Sequence, residues 1–163
     1  MALSKQKKAE ILEKLGKIVK NSLSIVLVNF HSLPVTESSL IRKAFRKKAI
    51  GYTIAKKTLT KKVLSEGGIL GAMPDLPGEL GIVYGTDLIE PARETYSFQK
   101  KFDKKIQIVG GVFEGRFMNQ SEMLTIAQIP ALQTLYTQFV NLINSPIRGL
   151  VIALNAITQV KSP

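Results

Sequence analysis

Apolar residues recur along the first part of the chain in patterns typical of helices and then of strands. Residues 11–19 carry apolar side chains at helical spacing, and Ser4 can cap this first helix. A short β-branched run, SIVLVNF, follows at residues 24–30 and predicts a buried strand. A second amphipathic helix is expected from Thr36 to about Lys48, because its apolar residues fall on one face.

The next segments continue this alternation. They predict a strand at residues 51–55, a short basic helix from about Thr58, a strand at 80–84, a helix at 92–103 and a strand at 106–113. The order strand, helix, strand, strand, helix, strand predicts an α+β fold of the ferredoxin-like, split βαβ type with a four-stranded sheet. The leading helix is an addition to that fold.

The carboxyl-terminal part is predicted to be helical. Ser121 can cap a short helix, and another helix begins at Pro130. Ser145 and Pro146 are typical of a helix start and predict that a new helix begins there. We therefore expect a folded domain at residues 1–118 and a helical extension at residues 119–163.

Charge is segregated along the chain. Residues 1–62 hold fifteen Lys and Arg residues against three acids, a net charge of +12, whereas residues 63–163 have a net charge of −1. Clustered Lys and Arg with few acids are typical of a protein that binds a polyanion, usually nucleic acid. Folded RNA is favoured over single strands, because few aromatic residues for base stacking accompany the basic clusters.

The predicted RNA-binding residues lie in three helical clusters, which one side of the domain could gather into a single surface. They are basic residues with almost no neighbouring acids, together with one hydroxyl: Lys5, Lys7, Lys8, Arg42, Lys43, Arg46, Lys56, Lys57, Thr58, Lys61 and Lys62. Contacts of these side chains with phosphates would make binding steeply dependent on salt.

The tail is strongly apolar and carries Arg148 as its only charged side chain between residues 124 and 160. Apolar anchors at helical spacing suit a helix that binds in the groove of a protein partner. A helical hairpin packed on the domain is an alternative. A membrane is disfavoured, since the polar face lacks Lys and the apolar run at residues 149–157 is far shorter than a membrane span. The predicted partner-binding residues are Ile147, Leu150, Val151, Leu154 and Ile157.

Catalytic and metal sites find little support in the sequence. The chain has no cysteine and a single histidine, His31, so thiol chemistry and Cys-based zinc sites are excluded. The segment GILG at residues 68–71 matches the short loop of KH domains, but so short a match is not specific. We predict a non-enzymatic protein without metal, cofactor or small-molecule substrate. No export signal is visible, so a cytoplasmic location is expected.

Several segments together resemble the bacterial large-subunit ribosomal protein L-ten family, whose members form the base of the ribosomal stalk. They are MALSKQKKAEIL at the start, the strand-loop-helix at residues 29–46, AKKTLTKKVL at 55–64, GGVFEG at 110–115 and PIRGLVIALNAI at 146–157. The resemblance implies that the first domain docks on large-subunit ribosomal RNA beside a neighbouring stalk-base ribosomal protein. It implies that the carboxyl-terminal helix carries dimers of the acidic stalk protein, which recruit translational GTPases. The location it implies is the large subunit of the cytoplasmic ribosome.

A second interpretation is a free RNA-binding regulator or RNA chaperone with a KH-like or ferredoxin-like surface. Sedimentation distinguishes the two, since a free regulator does not stay with large ribosomal subunits in high-magnesium buffer.

Overall fold

The structure of the protein is a computed structural model that describes residues 5–31, 33–102 and 105–161, with side chains described between residues 8 and 157 of these ranges. The predicted cap Ser4 lies outside the described residues. The elements in chain order are α1 (Lys5–Asn21), β1 (Ser24–Phe30), α2 (Val35–Lys47), β2 (Gly51–Ile54), α3 (Lys57–Glu66), β3 (Glu79–Gly85), α4 (Glu90–Lys101), β4 (Ile106–Phe113), β5 (Arg116–Asn119), α5 (Gln120–Ala127) and α6 (Leu132–Lys161). They form two compact units that divide between Ile129 and Pro130.

The described strands form one sheet in the order β2-β3-β1-β4-β5, and all neighbouring strands are antiparallel. At its centre Val26 of β1 lies between Val83 of β3 and Gly111 of β4. Because β3 is inserted between β1 and β2, the segment β1-α2-β2 is a split βαβ unit. The predicted α+β, ferredoxin-like fold is confirmed for the first four strands.

The fifth strand was not predicted. It pairs with β4 through a two-residue turn at Glu114 and Gly115, whose φ angles are 49° and 75°. Positive φ at both central residues is the type I′ geometry, whose twist matches that of the strands it joins. The strand sequence RFMN places its two apolar residues side by side, so the alternation that signals a strand is absent.

Helices cover both faces of the sheet. Successive side chains of β1 therefore point alternately into two different cores. Val26 and Val28 lie in one core with buried residues of α2, α4 and α5. Ile25 and Leu27 lie in the other core, with buried residues of α1 and α3. The second layer of helices is therefore built from the added helix α1 together with α3.

α5 belongs to the first unit, because its apolar side fills the core shared with α2 and α4. Met123 and Ala127 are buried there, and a side chain at Gly111 of β4 would overlap the end of Met123. The boundary between the two structural units thus lies after the end of α5. The assignment of separate functions to residues 1–118 and 119–163 stays a prediction.

α6 is one helix that continues through Pro146. The predicted new helix start at Ser145 and Pro146 is therefore wrong. A proline inside a helix removes one hydrogen bond, here to the carbonyl of Leu142, and costs about 3 kcal/mol. The helix tolerates this loss because its described side chains are all exposed, which leaves that part of the helix open to water.

Candidate nucleic-acid interface

The start of α3 brings two lysines and a hydroxyl to an uncapped helix end. Lys56 is the N-cap residue in extended conformation, Lys57 and Thr58 open the helix, and neither a side-chain cap nor an acidic residue is present in the first turn. The amides of Leu59 and Thr60 donate to the carbonyl of Lys56 at 3.0 and 3.1 Å. A helix N-terminus of this kind, with free amides and added positive charge, favours an anion such as a phosphate.

The next turn of α3 adds further positive charge. Lys61 and Lys62 are exposed, and Lys62 lies 4.0 Å from the carboxylate of Glu66, with both side chains open to solvent. An exposed pair at that distance contributes little, so Lys62 keeps most of its charge for a partner. Within the described residues, no acidic side chain pairs with Lys56, Lys57 or Lys61.

α1 supplies the second side of this surface. Leu15 packs in the same core as Val63 and Leu64 of α3, which fixes the two helices side by side. Lys8 is exposed, as predicted for an RNA-binding residue, whereas the side chains of Lys5 and Lys7 lie outside the described residues. We call the surface formed by Lys8, Lys14, Lys17, Lys56, Lys57, Thr58, Lys61 and Lys62 the α1–α3 surface.

Lys14 and Lys17 were not predicted as RNA-binding residues. Lys17 donates to Glu13 at 2.8 Å, so the pKa of the Glu13 carboxyl lies below its ordinary value and the pKa of Lys17 lies above it. Both changes follow first from the hydrogen bond and then from the opposite charges. A usable signal was present, since Lys14 follows Lys7 by seven residues and therefore shares its side of the helix.

An open groove of about 1020 Å³ lies between α1, the end of β2 and the start of α3. Among the described residues, its lining includes two lysines from α1, two from the start of α3, and Glu79 as the one acid. The rest of the lining is mainly apolar and includes Ile54, Phe30 and Tyr84. No sequence pattern indicated this groove, because it is assembled from residues far apart in the chain.

The basic residues of α2 lie on the other face of the sheet. Arg42, Lys43 and Arg46 are exposed, but their helix packs Ile41 and Phe45 into the core on the opposite face of the sheet from α3. The grooves beside α2 and α3 nevertheless share lining residues at the β2 edge of the sheet, and the expectation that one side of the domain gathers all the basic clusters stays a prediction. We call Arg42, Lys43 and Arg46 the α2 surface.

Arg42 also interacts with an aromatic ring. Its guanidinium lies 5.6 Å from the ring centre of Tyr52 on β2, within the range of a cation–π contact. Burial raises the pKa of Tyr52, and the positive charge of Arg42 opposes that rise. The Arg42 guanidinium is thus positioned by a contact with the Tyr52 ring of the same protein.

The segment GILG does not form an open loop of the KH type. Leu70 makes a β-bridge to Arg116, and its amide donates to the carbonyl of Gly115 at 2.9 Å. The backbone of this segment is therefore used to close the edge of the sheet beside β5. Within the described ranges, no group of three or more His, Asp or Glu residues is arranged to hold a metal ion.

α6 presents the second candidate binding surface. Every side chain described in it, from residue 132 to residue 157, is exposed. By length and composition alone, this segment could also cross a membrane, with a mean hydropathy of 1.3. Its large apolar side chains recur mostly at intervals of three and four residues, which places them along one stripe. The residues of this stripe are Leu132, Leu135, Tyr136, Phe139, Ile143, Ile147, Leu150, Val151, Leu154 and Ile157. Three further exposed apolar residues lie beside or opposite it: Val140, Leu142 and Ile152.

Comparison with known proteins gives a consistent result. The family model described as ribosomal protein L10 matches residues 3–100. The chain is 27% identical over 142 residues to the large ribosomal subunit protein uL10 of Rickettsia bellii, covering 87% of this chain and 83% of that protein. It is 26% identical to uL10 of Bacillus licheniformis, covering 99% and 97%, and 29% identical to uL10 of Rubrobacter xylanophilus, covering 96% and 90%.

Proposed function

The chain belongs to the ribosomal protein L10 family, and on this premise we propose that it is a structural protein of the large ribosomal subunit with two binding ends. Its first unit binds large-subunit ribosomal RNA beside a neighbouring stalk-base protein in the cytoplasmic ribosome. Its helix α6 carries dimers of the acidic stalk protein, which bring translational GTPases to the ribosome.

The observation that carries the RNA-binding proposal is the lysine cluster at the start of α3. Lys56, Lys57 and Lys61 are not paired with acids among the described residues, and the helix end beside them has no side-chain cap. A phosphate group pairs with the positive charge of these lysines, and its oxygens also accept hydrogen bonds from the free amides of the helix end. α1 extends the same positive surface, so a long stretch of RNA backbone can lie across both helices.

Replacement of Lys57 and Lys61 by alanine tests this end. We expect the double variant to bind large-subunit ribosomal RNA more weakly and with a flatter salt dependence. The slope of log K against log salt should fall by roughly 0.7 to 0.9 for each phosphate that the variant no longer neutralises. Filter binding between about 50 and 200 mM salt measures that slope. The matched control is Lys100→Ala with Lys101→Ala, which removes the same charge from the end of α4.

The same measurement separates the two basic surfaces. A variant with Arg42, Lys43 and Arg46 replaced by alanine removes the α2 surface from the opposite side of the sheet. If RNA lies on the α1–α3 surface, this variant keeps nearly the full salt slope of the original protein. A slope that falls only in the α2 variant would move the RNA to the other face and contradict the proposal.

The observation that carries the stalk-binding proposal is the uncovered apolar stripe of α6. Because the helix is continuous, the stripe extends over residues 132–157 rather than over the last part alone. Such a stripe is the pattern of a helix that binds in an apolar groove of a protein partner. Because α6 carries little charge, the helix itself does not indicate whether its partner is acidic. The acidic nature of the partner is supported by the family resemblance.

A charge placed in the stripe tests the second end. Leu150 is 63% exposed, so Leu150→Glu should leave the helix folded while it prevents the apolar contact. We expect co-expression with the acidic stalk protein of the same organism, followed by native mass measurement, to show fewer bound dimers for this variant. Asn141→Glu adds the same charge on the polar side, directly opposite Leu150 in helical projection, and should keep the full number. Equal loss in both variants would contradict binding through the stripe.

A further inference from the structure

The groove between α1 and the start of α3 has a lining that contact with an RNA backbone does not require. Phosphates are bound by Lys, Arg, hydroxyls and free amides on open surfaces. Among the described residues, the groove has such groups in Lys14 and Lys17 on α1 and in Lys56, Lys57 and Thr58 at the start of α3. Between them lie aliphatic side chains and an aromatic wall. The groove therefore suits a ligand with both an apolar planar part and negative charge.

Tyr84 is held at the wall of the groove by the strand pairing. It lies on β3 directly opposite Gly51 of β2, and a side chain at Gly51 would overlap the Tyr84 ring. The ring therefore lies across the backbone of β2. It is half-buried, and no other described aromatic ring stacks on it.

We propose that this groove accepts one unpaired nucleotide of the bound RNA. The base lies among the apolar side chains and against Tyr84, and the neighbouring phosphates lie on the lysines of the groove. Base stacking on aromatic side chains is sequence-tolerant, because every base has a π-face. The inference rests on the proposed binding of RNA to the α1–α3 surface.

Charge and position both favour a nucleotide as the occupant. The lining is positive, with four lysines against Glu79 among the described residues, and Lys56 and Lys57 belong to the predicted RNA-binding set that continues outside the groove along α3. The volume of about 1020 Å³ reaches the upper end of the roughly 300–1,000 Å³ of small-molecule sites, so the groove has room for a base with its sugar.

Two RNA hairpins that differ at one position test the proposal. One contains a single unpaired 2-aminopurine, and the other pairs that position. We expect the full chain to bind the first roughly fivefold or more tightly, since stacking of one base contributes about 1 kcal/mol or more. The fluorescence of 2-aminopurine should change on binding, because the base passes from solvent to the groove.

Variants of the groove should remove this preference without removing RNA binding. Ile54 is 46% exposed and lines the groove, so Ile54→Glu adds a carboxylate there without disturbing a core position. Leu40 on α2 is 60% exposed and lies outside the groove, so Leu40→Glu is the matched control. Tyr84→Leu keeps an apolar side chain but loses the ring. We expect the two hairpins to bind equally to both groove variants and unequally to the control.

The outcomes distinguish this inference from the function on which it rests. Equal binding of both hairpins by the unchanged protein, with a steep salt slope, would overturn the nucleotide site and leave RNA binding intact. Failure to bind either hairpin or large-subunit ribosomal RNA would overturn both proposals. If the hairpins bind equally and an amphipathic peptide of Leu and Glu binds in an Ile54-dependent manner, the groove belongs to a protein partner and the nucleotide site is wrong.

Discussion

Ala49 occupies a backbone conformation that suits glycine. It follows α2 with a φ of 55°, the amide of Ile50 donates to the carbonyl of Phe45, and the amide of Ala49 donates to that of Arg46. These are the two hydrogen bonds of a Schellman motif, and Ile50 and Phe45 add its apolar contact within the core. A non-glycine residue in this conformation costs roughly 1–2 kcal/mol.

We therefore expect Ala49→Gly to raise the free energy of unfolding by about 0.5–1 kcal/mol, after allowance for the greater freedom of glycine in the unfolded chain. Urea unfolding measures the change, provided that the dependence of the free energy of unfolding on urea concentration is the same in both proteins. The control is Lys48→Gly, one residue earlier at a φ of −107°, which should lower stability or leave it unchanged. A loss of stability in Ala49→Gly would show that the left-handed conformation is absent.

Single residues were predicted well where local pattern determines their environment and poorly where a distant segment does. The exposed positions of Arg42, Lys56 and Lys61 follow from their places on or beside amphipathic helices. Tyr84 had no comparable signal, because its place at the groove depends on Gly51, which lies on a different strand.

At the scale of elements, the continuity of α6 is the sharpest difference from the sequence pattern. Proline at the first position of a helix and proline inside one share the same φ, so Ser145 and Pro146 do not distinguish the two locally. Pro146→Ala restores an amide that can donate to the carbonyl of Leu142. We expect this variant to slow hydrogen exchange of the amides around residues 142–150 roughly tenfold to a hundredfold, given about 3 kcal/mol for proline inside a helix.

A neighbouring substitution controls for helix propensity alone. Ser145→Ala changes propensity by well under about 1 kcal/mol and should slow exchange much less. Unchanged exchange in Pro146→Ala would indicate that the helix is interrupted at that point, as the sequence pattern first suggested.

The strands were the most predictable elements. β1 and β4 begin and end where their apolar runs do, at residues 24–30 and 106–113, because both are largely buried and such runs signal buried strands. β5 is short and lies at the edge of the sheet, where a strand needs no alternating pattern. Its turn depends on Glu114 in a conformation that glutamate rarely adopts, so the Asn, Asp or Gly that usually precedes the glycine of such a turn was missing from the sequence.

For the whole molecule, the segregation of charge correctly indicated two unlike ends, but it did not indicate how the basic clusters are arranged. Amphipathic periodicity shows that a helix buries one side. It does not show which face of the sheet that side covers. α2 and α3 are both basic and both amphipathic, yet they pack on opposite faces. The arrangement depends on the path of the connections, which a local pattern does not encode.

Two truncations test whether the two ends are separable. The first unit ends at Ile129, and α6 contributes no buried side chain among its described residues. We therefore expect residues 1–129 to keep a free energy of unfolding within about 1 kcal/mol of the full chain, since no fully buried side chain among the described residues of α6 is removed. RNA affinity should stay within about twofold, because the basic surfaces all lie in the first unit, while capture of the acidic stalk protein should disappear.

A cut after residue 118 should behave differently, because it follows the predicted domain boundary but also removes α5. Met123 and Ala127 of that helix are buried at 0% and 1% exposure, and truncation of a buried Met side chain alone costs about 2–5 kcal/mol. We expect residues 1–118 to unfold at clearly lower urea concentration than residues 1–129, and to lose RNA affinity at temperatures where the longer fragment keeps it. Equal stability of the two fragments would show that α5 is dispensable to the core. Loss of RNA binding already in residues 1–129, with the fold intact by circular dichroism, would show that α6 takes part in RNA binding and that the two ends do not act separately.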